Sequence, residues 1–153
     1  MVPIGAGLGL RQGEIFGLAV EDIDFLRREV TIRRQVAIAD SRLVFAPPKY
    51  NKERVVPLAP AVGDALAAHL SRHPALTYTL PWIERDGKGV TAQLICSTRE
   101  HRPINRNYFN SVWRRALTSI GVEPTRQTGC HALRHFFASV LLDAGESIKV
   151  VSE

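Results

Sequence analysis

The chain has 153 residues, 45% of them hydrophobic and 23% charged, with a formal net charge of +5 at pH 7 and a sequence pI near 9.7. That length supports one domain with a real core, and no apolar run approaches the roughly 20 residues that cross a bilayer. The opening MVPIGAGLGLRQGE has no basic segment ahead of an apolar one, so it makes a poor signal peptide and the protein reads as cytosolic. Two cysteines, Cys96 and Cys130, are too few for a disulfide framework or a zinc site and read as reduced, partly buried thiols. Arginine strongly outnumbers lysine, and its planar fork suits phosphate. A GC-rich genome produces the same bias, so composition alone leaves an anionic partner open.

In chain order, Leu10–Leu18 predicts a short amphipathic helix, apolar at Leu10, Ile15, Phe16 and Leu18 around Arg11 and Glu14. VEDIDFLRRE makes a turn, in which the acidic run Glu21–Asp24 reads as a cap or solvated loop. Glu29–Ile38 alternates and is β-rich, a single strand. RLVFA, from Arg42, is a second strand after a turn through Ala39, Asp40 and Ser41, and Pro47 and Pro48 end it. Arg54–Leu58 is a third, completing a three-stranded antiparallel sheet.

PAVGDALAAHLSRH predicts a helix with Pro60 in its first turn and Val62, Leu66 and Leu70 on one face. TYTLPWIERDGKGVTAQLICS predicts a hairpin turning at Asp86-Gly87. NRNYFNSVWRRALTSIG is the clearest helix, capped by Asn105 and closed by Gly121, with an apolar stripe from Tyr108 and Phe109 through Val112, Trp113, Ala116 and Leu117 to Ile120. After Cys130 another helix is expected to bury Leu133, Phe136, Phe137, Val140 and Leu141, with Gly145 closing it. Ser147 caps one more helix, barely begun at Glu153. The expectation is an α+β fold, mostly helical with a small three-stranded antiparallel sheet, forming a single domain over residues 1–153. A domain seldom ends one turn into an amphipathic helix, so the chain reads as a fragment of a longer protein.

Four side chains are candidates for chemistry. Arg11 stands in an otherwise apolar helix and either pairs with Glu14, three residues on, or serves a ligand. GAGLG has neither the preceding strand nor the spacing of a nucleotide loop. Lys49 lies in the turn between the second and third strands; a solvated lysine is the plain reading, but Pro47 and Pro48 stiffen the approach to it. His131 and Arg134, three apart at a helix start, share a face. His135 points elsewhere and reads as a packed, hydrogen-bonded core histidine, and Cys130 beside His131 has no second ligand pair to make a metal site. Two arginines, a lysine and a histidine are the set that phosphoryl transfer uses: cations neutralise non-bridging oxygens while Lys or His moves protons. No acidic cluster of the kind that holds Mg²⁺ accompanies them, so a metal-free phosphate mechanism with no cofactor is expected.

GLRQGEIFGLAVEDIDF, PPKYNKERVVPL and HALRHFFASVLLDAG, in that order, resemble the first-arginine box, the β-hairpin lysine segment and the His-x-x-Arg box of the tyrosine recombinases, the phage-integrase family. TLPW and RPINRNYF look like mobile-element integrases. The resemblance spans nearly the whole chain and implies the DNA breaking-rejoining catalytic core. It implies that Arg11 and Arg134 clamp a scissile phosphate, Lys49 protonates the leaving 5′ oxygen, His131 exchanges a proton at the nucleophile and Glu14 supports Arg11. The implied partner is double-stranded DNA, with self-association of a full-length parent on it and no membrane. The family's N-terminal DNA-clamping domain and its nucleophilic tyrosine, downstream of the His-x-x-Arg box, have no counterpart in this sequence, whose tyrosines are Tyr50, Tyr78 and Tyr108. Three readings stay open: the core of a strand-exchange enzyme that is inactive alone, a remnant acting as a non-catalytic DNA-binding or protein-interaction module, and a metal-independent phosphodiesterase using His131 and Lys49.

Overall fold

A computed structural model describes residues 1–125 and 127–145; the helix expected after Ser147 lies outside them. The chain is helical from its start. Helix α1 (Val2–Leu8) has proline in its first turn, where a missing N–H costs nothing, and stops at Gly9 in the left-handed conformation (φ 61°). Helix α2 (Gln12–Gly17) begins only after this break, so the expected Leu10–Leu18 helix is shorter at both ends. Arg11 is its N-cap with extended backbone (φ −70°, ψ 152°) rather than a residue of its interior.

Five short strands follow: β1 (Ile23–Asp24), β2 (Glu29–Ile32), β3 (Gln35–Ala39), β4 (Arg42–Ala46) and β5 (Arg54–Pro57). A three-stranded antiparallel sheet is present, but its order is β1-β2-β5, while β3 and β4 form a separate hairpin. The expected strand Glu29–Ile38 therefore exists as two. The break has a cause in Asp22, which takes the cap role, one of the two readings of the acidic run, and is buried rather than solvated. Its carboxylate accepts from the Ala19 amide at 3.0 Å and from both Arg34 Nη atoms at 2.8 and 3.2 Å, drawing Arg34 out of the strand. Beyond the break, β3 lies so close to α2 that a Cβ on Gly17 would stand 2.9 Å from the Gln35 Cα. The β3–β4 turn is made by Asp40 and Ser41, both with positive φ (46° and 64°), the pattern that matches the twist of a two-residue hairpin.

Helix α3 (Pro60–Arg72), the hairpin β6 (Leu76–Pro81) and β7 (Gly89–Leu94), helix α4 (Arg106–Ser119) and helix α5 (His131–Asp143) complete the order. Val62 and Leu66 of α3 face inward as their spacing implies. The core gathers Leu8, Leu10, Ile15, Phe16, Val30 and Phe45 with Leu94 and Phe109; burying each of the larger side chains contributes roughly 1.5–3 kcal/mol.

The two C-terminal helices bury less than their apolar stripes suggested. On α4 only Phe109 is fully buried, its ring 5.5 Å from those of Phe16 and Trp113, and Ile120 is 71% exposed. Asn105 caps α4 as expected, its side-chain oxygen accepting from the Tyr108 amide at 2.9 Å. Helix α5 buries no residue fully. Leu133 and Phe137 lie against Gly5 and Gly9 of the N-terminal segment, whereas Phe136 is 59% and Val140 47% exposed. Helix α5 meets α1 on the side that carries Leu133 and Phe137, while Phe136, Val140 and Leu142 are exposed.

Candidate functional site

The N-cap of α2, the start of α5 and the start of β5 meet at one place. Glu14, in the first turn of α2, has a fully buried carboxylate. Its Oε2 accepts from the Arg11 backbone N–H at 2.9 Å and from Arg54 Nη2 at 2.7 Å; its Oε1 accepts from Arg11 Nη1 at 3.1 Å and Arg54 Nη1 at 3.0 Å. Burial alone would raise the Glu14 carboxyl, but the hydrogen bonds from Arg54 and Arg11 and the Arg54 charge outweigh it and hold the group below the usual carboxylate range.

Arg134 is one turn into α5 and donates through Nη1 to the Gly9 carbonyl. Its pKa is pushed below the ordinary arginine value, first by burial and then by the cations of Arg11 and Arg54, with Glu14 opposing. It stays protonated. Three guanidiniums thus feel one another across a single carboxylate. The cluster is short of negative charge, and a bound anion would relieve both the repulsion and the incomplete solvation.

Arg11 also borders a cleft of about 1300 Å³ between α2, β3, α4 and the start of α5, whose walls include Gln35, Arg106, Arg114, His131 and His135. His131 is the first residue of α5, and its ring meets the His135 ring edge-on with centroids 4.5 Å apart. His135 is therefore an exposed cleft residue, correcting its reading as a core histidine: i and i+4 on a helix share a face, and here that face is the open one. Gln12 Nε2 bonds Asn110 Oδ1 at 3.1 Å across the cleft floor, and Trp113 Nε1 donates to the Thr128 carbonyl at 2.9 Å, tying α4 to the segment that leads into α5.

Arg11, Glu14 and Arg134 are thus brought together, and His131 lines the cleft that Arg11 borders. Lys49 is not. It sits in a 3₁₀ turn (Lys49–Asn51) outside the cleft, exposed, with Nζ 4.8 Å from the centre of the Tyr50 ring. The root of its loop is held by Gln35 Nε2, which donates to the Pro47 carbonyl at 2.8 Å. Arg54 was missed by reasoning from sequence. The signal available was the period-2 pattern of its strand, which places an arginine on the same inward face as Val56. Cys96 is buried and Cys130 half-buried, both free, with burial pushing each thiol up. Among the described residues, no three His, Cys, Asp or Glu side chains gather as metal ligands would, and no helix is long and apolar enough to cross a membrane.

The sequence profile of the phage integrase family matches residues 1–153. The chain belongs to that family. Its relatives within the phage integrases include a XerC-like tyrosine recombinase of Caldanaerobacter subterraneus, 30% identical over 96% of this chain and 39% of the relative. The tyrosine recombinase XerD of Mycobacterium tuberculosis is 32% identical over 95% of this chain and 39% of its own length. The chain thus spans about two fifths of these recombinases. Among solved structures, the Tn1549 transposon integrase in complex with a circular intermediate DNA superposes with a TM-score of 0.79 at 22% identity, covering 98% of this chain and 47% of that one. XerH bound to its difH substrate superposes at 0.62 with 18% identity, covering 99% and 37%. At those identities the superpositions establish the fold, which is the α+β fold of the tyrosine recombinase catalytic domain.

Proposed function

We propose that the chain is the phosphate-binding catalytic core of a DNA strand-breaking and rejoining recombinase, and that by itself it binds duplex DNA without cleaving it. The observation that carries this reading is the cluster of Arg11, Arg54 and Arg134 around the single carboxylate of Glu14, at the edge of a cleft that also holds His131. In this reading Arg11 and Arg134 grip the non-bridging oxygens of one phosphate and stabilise the charge that builds in the pentacovalent transition state. His131 moves a proton at the attacking oxygen. Lys49 leaves the Tyr50 ring and protonates the departing 5′ oxygen once DNA fills the cleft; hairpin tips move readily enough to allow it. DNA-complexed relatives of the same fold support DNA as the partner, and assembly of a longer parent on DNA belongs with the same reading.

Cleavage by the family's chemistry needs a tyrosine oxygen in line with the phosphate, and positioning it can be worth several kcal/mol. Tyr50 is exposed beside Lys49, the Tyr78 hydroxyl is buried, and Tyr108 is half-buried on α4. None of the three lines the cleft, which favours, as the second reading, a non-catalytic DNA-binding module. The test is incubation with a nicked suicide DNA substrate followed by denaturing electrophoresis. The 153-residue chain is expected to form no covalent adduct. The first reading further expects an adduct from a protein carrying this domain together with a tyrosine after the His-x-x-Arg box, lost on Arg134→Ala. An adduct through Tyr50, Tyr78 or Tyr108 of this chain would overturn the account of the nucleophile, and an unchanged adduct in the Arg134→Ala protein would overturn the phosphate clamp.

A further inference from the structure

We infer that Arg54 is a positioning residue that sets the direction of Arg11 through Glu14 and keeps the group around it net positive; this deepens the phosphate-site reading above and rests on it for the DNA half of its test. The side chain of Arg54 is 16% exposed and that of Arg11 30%, so Arg11 is the more accessible of the two. Arg54 uses both Nη atoms on Glu14, one on each carboxylate oxygen. A planar fork on a planar carboxylate fixes the carboxylate in two directions, which a single-point contact does not. Each oxygen has one lone pair left for Arg11, one taken by its backbone N–H and one by Nη1. The orientation of Glu14 therefore dictates where the Arg11 guanidinium points.

The charge balance gives Arg54 a second task. A buried carboxylate paired with Arg11 alone would cancel the charge that a phosphate is to meet. With Arg54 added, the Arg11–Glu14–Arg54 group carries a net positive charge, and Arg134 stands beside it. Arg54 also lies five residues after Lys49, at the start of β5, where it pairs with Ile32 of β2. The same bidentate contact therefore ties the end of the Lys49 loop to the helix that carries Arg11.

Two measurements on the 153-residue chain test the inference. The first needs no DNA. Thermal midpoints of the wild type and of Arg54→Gln, compared at pH 7 and at stepwise lower pH, are expected to differ clearly at pH 7 and to converge as Glu14 becomes protonated. Glu14, held ionised by Arg54, contributes stability above its unfolded pKa and loses it as pH falls. An equal gap at every pH would mean that Arg54 does not act through the Glu14 carboxylate and would overturn the inference, while the DNA cycle below separates positioning of Arg11 from a structural ion pair. Arg54→Lys, which keeps the charge but not the fork, is expected to restore only part of the neutral-pH gap; full restoration would mean that charge alone suffices and would also overturn it.

The second is a double-mutant cycle on affinity for a fluorescein-labelled duplex DNA. Arg54→Gln is expected to weaken binding several-fold, and Arg11→Ala/Arg54→Gln to bind no worse than Arg11→Ala alone. Additive losses would make Arg54 an independent DNA ligand and contradict the inference. Absence of DNA binding by the wild type would sink the functional reading, while the acid measurement would still decide whether Arg54 acts through Glu14.

Discussion

Glu14→Gln is expected to destabilise the fold by about 3–5 kcal/mol at neutral pH, the range for removing one partner of a buried ionic group. Gln keeps the volume and one carbonyl acceptor, so packing is nearly preserved and the loss is electrostatic. Without the carboxylate, Arg11, Arg54 and Arg134 face one another with no internal counter-charge, Arg54 having little access to water and Arg134 only part of its surface exposed. For a chain of this size the loss corresponds to a fall in Tm on the order of 10 °C. The pH dependence is fixed in sign. The Glu14 pKa is lowered in the folded state, so its contribution is present above the unfolded carboxylate value of about 4.3 and disappears as pH falls through the folded one. Urea denaturation of the wild type and Glu14→Gln across pH 3–7 should show the gap closing in acid. A gap below about 1 kcal/mol at pH 7 would place Glu14 among ordinary surface ion pairs.

Gly9→Ala carries the next largest expected effect, a loss of roughly 2–4 kcal/mol, because two penalties coincide there. The left-handed backbone costs an L side chain about 1 kcal/mol. The new methyl would also stand 2.3 Å from a Phe137 ring carbon, and overpacking of that kind costs roughly 1–3 kcal/mol more. Gly121→Ala is the control. It has a similar φ of 75° but nothing within 4 Å of the added methyl, so only the backbone cost of about 1 kcal/mol is expected. The consequence for function is local. Gly9 ends α1, admits Phe137 of α5 and accepts the Arg134 hydrogen bond through its carbonyl. Displacing Phe137 therefore moves the helix that carries His131 and Arg134, and Gly9→Ala should weaken DNA binding at temperatures where it is still folded. Equal urea midpoints for the two glycine variants would refute the close approach of α5 to α1.

What was legible in the sequence was local. The cap at Asn105, the proline at the start of α3, the Asp40-Ser41 turn and the amphipathic α3 each depend on neighbours within a few residues, and all appear as expected. The three motif segments likewise marked Arg11, Glu14 and Arg134, which meet around one carboxylate, and His131, which lines the cleft with Arg11; they also marked Lys49, which lies outside it. The misses share a different cause. The break in the strand after Ile32 is driven by Arg34 reaching Asp22, 12 residues away, and Arg54 reaches Glu14 across 40. Neither ion pair leaves a periodicity in its own segment. The exposed face of α5 was misjudged because an apolar stripe states what a helix can bury, and only the packing partner decides how much of it is covered. Gly9 hid in GAGLG, a run that reads equally as helix or loop until its conformation is known.

If Arg11 and Arg134 act together on one phosphate of duplex DNA, the salt dependence of DNA affinity must carry their signature. The dissociation constant of the chain for a duplex should rise steeply with salt, with a log–log slope of about 0.9 for each phosphate neutralised. Arg11→Ala and Arg134→Ala should each weaken binding by about tenfold at low salt and reduce the slope by about one, uniformly across DNA sequences. The double variant should fall little further, since both contacts serve one phosphate. A salt-independent affinity, or single variants that bind like the wild type with unchanged slope, would contradict the phosphate site.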